Sequence, residues 1–261
     1  MTEQGKLDYL TRKWWFFLFF ILLQFVPSYA SKGFDPAETG LITGEILSHA
    51  LAYDYPSLFP IFKIIPVILI MSIIFLKNAV TRVLSVYAGI TYLLFAVLQS
   101  VAFTEKYGLG IITGNFIMFS LVAVFWFWEA IVQKNDFTVP KRVGWRYWVV
   151  PFAFLAFWYP LTISDGSVIP DFNPIGILTN AAGLAFCLMT PVYIAVLTLY
   201  HPRINLATLR VTSLVGVIIG IYNVLVNFVF FFSTMWWNGV LHIPLLTISA
   251  YGFVLSFRRS S

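Results

Sequence analysis

The chain has 261 residues, of which 60% are hydrophobic and only 10% charged, with a formal net charge of +5. Soluble domains carry roughly 25% charged residues, so this chain lacks the polar side chains to cover a water-soluble globule of its length. The excess of Lys and Arg is not a nucleic-acid footprint, because those residues gather at the ends of apolar runs, where they set orientation in a bilayer.

A spanning helix takes about 20 mostly apolar residues, with a range of roughly 17–25. Eight stretches meet that requirement: 14–30, 58–76, 83–103, 111–133, 147–163, 175–200, 211–233 and 239–256. The links between them are too short for a soluble domain. Residues 1–261 therefore read as one domain, an all-α polytopic membrane helix bundle. The first stretch, RKWWFFLFFILLQFVPSYASKG (residues 12–33), has two readings. Its basic start, short apolar run and small residues Ser28 and Ala30 suit a signal peptidase, and cleavage leaves seven helices. Kept as a helix, it obeys the same orientation as the rest, and eight crossings are the expectation.

Alternation places Lys6, Arg12, Lys13, Lys77, Arg82, Lys134, Lys141, Arg142, Arg146, Arg203, Arg210, Arg258 and Arg259 on the side of the N-terminus. Only Lys32 and Lys106 fall on the other side, together with Asp35, Glu38, Glu45, Asp54, Glu105, Asp165 and Asp171. The positive-inside rule then makes both termini cytoplasmic, and a cell membrane is the expected location.

Between the first two stretches, FDPAETGLITGEILSHALAYDYP opens on Asp35 and Pro36, a helix start. It is too polar to span and reads as a short interfacial helix near 36–53 on the outer side. Gly40, Gly44 and Ser48 recur every four residues, a flat face suited to pressing on a neighbour. Glu45, His49 and Tyr53 recur on an adjacent face. In the second stretch, Lys63 stands between Pro60 and Pro66. A charge there is costly and a functional hypothesis by default. Its stem is long enough to reach the outer headgroups; otherwise it pairs with Asp54 or Glu45, or holds an anion.

The third stretch carries a stripe of Ser85, Ala88, Tyr92, Ala96 and Gln99. The fourth brings Asn115, and near its end Glu129, read as an interfacial carboxylate close to Lys134. The sixth brings Asn180 and the single cysteine, Cys187, a small apolar residue with no disulfide partner in the chain. The seventh, GVIIGIYNVLVNF, sets Gly216, Gly220, Asn223 and Asn227 on one helical stripe. Two glycines admit a neighbouring backbone, and two amides demand hydrogen bonds that lipid does not supply. With Gln24 in the first stretch, most helices bring one amide to the interior.

His49, His242 and Glu45 have the chemistry of a three-ligand metal set, but no HExxH pair links them, and no metal or other cofactor is expected. P-loop, GxGxxG and GxSxG motifs are absent from the sequence. The chain reads as a non-enzymatic multipass protein that binds or passes a small or amphipathic solute through a polar bundle interior. Its candidate ligand-binding residues are Asn223, Asn227, Tyr92 and Gln99, with an outer vestibule of Glu45, His49, Asp54 and Lys63. The alternatives are an anchor or partner subunit of a larger membrane complex, and a membrane enzyme acting on a lipid or isoprenoid. Expected partners are the lipid bilayer, a small-molecule or lipid ligand, and membrane subunits or further copies of the chain, with no nucleic acid.

Overall fold

Each helix begins and ends where local chemistry requires it. The computed structural model describes residues 2–138 and 144–258; Lys141, Arg142 and Arg259, counted above as basic-side residues, lie outside them. Helix α1 (Glu3–Leu10) opens on Thr2, whose side chain accepts from the Gly5 N–H and so satisfies one of the orphan donors of a first turn. Helix α2 (Trp14–Leu23) is uniformly apolar but stops after ten residues. Beyond it Pro27 has no N–H to give a helix, and the chain turns into strand β1 (Tyr29–Ala30). Asp35 accepts from Ala37 N–H to start a single 3₁₀ turn, which leads into α3 (Thr39–Ser48).

Four helical runs among the described residues are long and apolar enough to cross a membrane: Pro56–Gln99, Thr113–Val132, Leu206–Phe230 and Phe232–Leu255. The pair Gly176–Leu184 and Phe186–Tyr200, bent by 96° at Ala185, makes a fifth if taken as one. The first run is twice the needed length. Lys77, at φ 51°, breaks it into α4 (Phe59–Leu76) and α5 (Thr81–Leu94), joined by a 3₁₀ turn. A π-helical turn, Phe95–Gln99, closes α5, and another, Val226–Phe230, closes α10 (Leu206–Leu225).

The chain is mostly helical rather than all-α. Strands β2 (Val101–Thr104) and β3 (Gly108–Ile111) form a hairpin, and β1 adds antiparallel to β3. After α6 (Thr113–Val132) and α7 (Val149–Trp158), strands β4 (Leu161–Ser164) and β5 (Ser167–Pro170) form a second hairpin. Asp165 and Gly166 both take positive φ between them, the two-residue turn that matches strand twist. The apolar stretches 14–30, 83–103 and 147–163 therefore end as strand, not helix, because hydropathy does not tell a helix end from a short apolar strand. Helices α8 (Gly176–Thr179), α9 (Phe186–Tyr200) and α11 (Phe232–Leu255) complete the fold.

Polar segments collect at two ends. At the basic end, Gln4 bonds Asn205, Asn78 bonds Asp136, Arg203 reaches Asp136, and His201 bonds the Arg258 carbonyl. Thr138's hydroxyl and amide, then Asn78 and the charge of Arg203, hold Asp136 down at about 2. Glu129 is fully buried there, accepting from Asn135 N–H and Asn205 Nδ2, both at 2.7 Å; it is an internal tie between α6 and α10 rather than an interfacial carboxylate. At the sheet end, Thr113 bonds the Pro27 carbonyl, and Trp237 bonds that of Pro160. Helix α3 covers the three-stranded sheet through Ile42 and Ile46, both at 0% exposure. Gly40 and Gly44 face open space, so the flat glycine face expected to meet a neighbour meets none. The isoleucines decide the matter, since burying two of them outweighs close backbone contact at two glycines.

Lys63 is buried at 0% exposure, donating to the Phe157 carbonyl with its ammonium 4.2 Å from the Phe157 ring centre. It neither reaches headgroups nor pairs with Asp54 or Glu45. Helix α7 ends at Trp158, where unsatisfied carbonyls carry partial negative charge, and Lys63 supplies the missing donor. Lys63→Ala is expected to destabilise the protein by about 2 kcal/mol, the usual value of a hydrogen bond to a charged group. A thermal melt in detergent measures it, and an unshifted midpoint refutes the capping role.

Candidate functional site

A cavity of about 320 Å³ opens at the sheet end, at the small end of the range that holds ligands. Two structural breaks make room for it. Helix α2 ends early, and the 96° bend at Ala185 turns α9 away from the helical segment before it. Both π-turns contribute to its wall, through Gln99 and Val226; such turns recur at functional sites because they widen a helix locally.

Among the described residues the wall carries no Asp, Glu, Lys or Arg. Its polar groups are amides, hydroxyls, one thiol and one imidazole. Gln24, Gln99, Asn115 and Asn223 come from α2, the end of α5, α6 and α10. Helix α11 adds Asn238 and His242, one turn apart on one face. A chain of hydrogen bonds fixes that face: Tyr159 donates to Asn238 Oδ1 at 2.7 Å, Asn238 Nδ2 to Asn227 Oδ1 at 2.8 Å, and Asn227 Nδ2 to the Asn223 carbonyl at 2.7 Å. Asn223 Nδ2 reaches the Ile219 carbonyl at 3.0 Å and Cys187 Sγ at 3.6 Å. His242 Nδ1 lies 2.7 Å from the Asn238 carbonyl. A carbonyl only accepts, so Nδ1 carries the hydrogen, and Nε2 of the neutral ring is an acceptor.

Several polar atoms on this wall find no hydrogen-bond partner among the described residues: the Asn115 amide, Gln99 Nε2, Gln24 Oε1, Asn223 Oδ1 and His242 Nε2. The other ends of Gln24 and Gln99 are held, by Met118 Sδ at 3.7 Å and by the Phe186 N–H at 2.8 Å. The free ends are thus positioned rather than floppy.

Of the eight candidate residues, Asn223 and Gln99 line this cavity. Asn227, 3% exposed, sits behind the wall and braces Asn223 and Asn238. Tyr92 is fully buried: its hydroxyl meets Thr190 Oγ1 at 3.0 Å, and its ring packs among Phe95, Trp126, Phe186 and Tyr193. It belongs to the aromatic core because Ser85, Ala88 and Ala96 on the same stripe are buried too. The outer vestibule does not form. Packing of Ile42 and Ile46 turns Glu45 and His49 outward as an exposed pair 3.5 Å apart, Asp54 is exposed, and Lys63 caps α7. Three or more His, Cys, Asp or Glu side chains placed to hold a metal are not found among the described residues. Sequence reasoning missed Asn238 and Tyr159; the i, i+4 pair of Asn238 and His242 was the available signal.

The apolar helices fit an integral membrane protein. Compared with known protein families, with curated proteins and with solved structures, the chain matches none of them.

Proposed function

We propose that the protein crosses a cell membrane eight times, with the basic end cytoplasmic, and binds or passes a small or amphipathic solute in the cavity at the sheet end. The orientation is supported by the way the segments around residues 4, 78, 136, 203 and 258 bond to one another at one end, as alternation requires. The site is supported above all by one observation: an uncharged cavity wall with positioned amides and an imidazole acceptor that the protein leaves unused. These donors and acceptors are open to the cavity rather than sealed in the core, and a bound solute with matching groups pairs with them at little cost in reorganisation.

Cys187 is the only cysteine and lines this cavity at 8% exposure. It provides a direct test. N-ethylmaleimide, small and uncharged, is expected to alkylate Cys187 in the folded, membrane-embedded protein at alkaline pH, slowly because the thiol is mostly buried and only the thiolate reacts. Asn115→Trp is expected to slow that reaction about tenfold by filling the cavity. Alkylation at alkaline pH only after unfolding in SDS, or a rate in Asn115→Trp equal to that of the parent, excludes an accessible cavity and ends this reading.

A further inference from the structure

Helix α2 rises only about 15 Å for its ten residues, half of the roughly 30 Å hydrocarbon thickness. Helix α10, beside it, continues through Phe230. Beyond Leu23 no helix among the described residues covers the cavity on this flank; only the non-helical segment 24–28 does, with Gln24, Val26 and Ser28 in the wall. The cavity's rim shows this, because four side chains that line the cavity are also exposed: Val26 at 38%, Leu47 at 39%, Tyr53 at 56% and Tyr222 at 48%. Next to Tyr222 the outer face of α10 continues with exposed Ile221, Leu225 and Val229. Two of the four rim side chains are aliphatic and two are tyrosines, amphipathic rings suited to the boundary between lipid tails and headgroups, and the rim merges with a face apolar enough to lie against lipid.

The interior selects a headgroup. A carboxylate or phosphodiester can accept from Asn115 or Gln99, but it leaves the acceptors His242 Nε2, Asn223 Oδ1 and Gln24 Oε1 without a donor and meets no cation on the wall among the described residues. An ammonium finds no carboxylate. A hydroxyl both donates, to His242 Nε2, and accepts, from Asn115 or Gln99.

Resting on the reading above, we infer that the cavity takes an amphipathic lipid with an uncharged, hydroxyl-bearing headgroup, admitted sideways between Val26, Leu47 and Tyr222 from the half of the bilayer at the sheet end. The headgroup lies among Asn115, Gln99 and His242, and the acyl chain leaves along the outer face of α10.

Native mass spectrometry of the full chain released from detergent tests this with four probes: 1-oleoylglycerol, oleate, oleylamine and glycerol. The expected result is one 1-oleoylglycerol bound per chain, with affinity reduced about tenfold in His242→Leu and in Val26→Trp. Leu47→Trp, at a separate exposed rim position, is the second plug should Val26→Trp fail to give the parent melting temperature. Equal binding of oleate or oleylamine overturns the uncharged headgroup. Binding of glycerol alone, or 1-oleoylglycerol binding unaffected by both plugs, overturns lateral access by a lipid. Failure of all four probes overturns the lipid proposal too, while N-ethylmaleimide reactivity at Cys187 reports separately whether the cavity itself is accessible.

Discussion

Arg210→Met is expected to cost about 3–5 kcal/mol, the loss seen when one partner of a buried ion pair is removed, and to leave little folded protein in detergent. Arg210 is at 0% exposure at the start of α10. Its guanidinium donates to Asp8 Oδ1 at 3.0 Å, to Thr11 Oγ1 at 2.6 Å and to the Ser256 carbonyl at 2.8 Å, and lies 4.9 Å from the Phe257 ring centre. One side chain thus ties α1 and the end of α11 to α10. Methionine fills much of the volume but strands the acceptors. The exposed pair Arg203–Asp136, at 3.4 Å with Arg203 54% exposed, is the contrast: Arg203→Met should cost no more than about 1 kcal/mol.

The same tie has a pH signature. Burial alone raises the Asp8 carboxyl, but the charges and hydrogen bonds of Arg210 and then Arg12 outweigh it, so the group titrates below its ordinary 3.8. A depressed folded-state value means the stabilisation is present above the ordinary value and is lost as pH falls through the folded one. The melting temperature of the parent should drop on acidification below about pH 4, and the drop should be smaller in Arg210→Met. An Arg210→Met melt within a degree or two of the parent contradicts the tie.

The physical limits of sequence reading show at individual residues. The helices expected over 111–133, 211–233 and 239–256 are legible as long apolar runs, although the last two begin earlier, at Leu206 and Phe232, than hydropathy marks. Helix α2 is legible as helix but not in its length: nothing in its hydropathy marks Leu23 as the end, and the short helix is what opens the cavity. The break at Ala185 lacks any Gly or Pro at the bend itself and depends on Gln99 accepting from the Phe186 N–H, a contact across 87 positions. Amides at 24, 99, 115 and 223 are legible as interior groups, since lipid cannot satisfy them. Which amide faces the cavity and which braces it depends on rotations of a few tens of degrees about each helix axis. That is why Asn227 lies behind the wall while Asn223, one turn earlier, lies on it.

Small-residue stripes make the limit sharpest, and they lead to an expected result. Gly40–Gly44 and Gly216–Gly220 are the same pattern in sequence, two glycines four apart. Only the second is a contact. A Cβ on Gly220 comes within 3.0 Å of Leu246 Cα, and one on Gly216 collides with Ser249 Oγ, so α10 and α11 meet backbone to backbone. A Cβ on Gly44 meets nothing within 4 Å. Gly220→Val must push α11 away, because the obstacle is backbone rather than a side chain that turns aside, and should destabilise by about 3 kcal/mol, the upper end of overpacking costs. Separating these helices also moves Asn238 and His242 relative to Asn223, so the N-ethylmaleimide rate at Cys187 should change in the same variant. Gly44→Val should stay within about 0.5 kcal/mol of the parent, as surface substitutions do. The two melts, run side by side, decide whether α10 and α11 form the closely packed pair that holds the far wall of the cavity: equal midpoints for both variants exclude it.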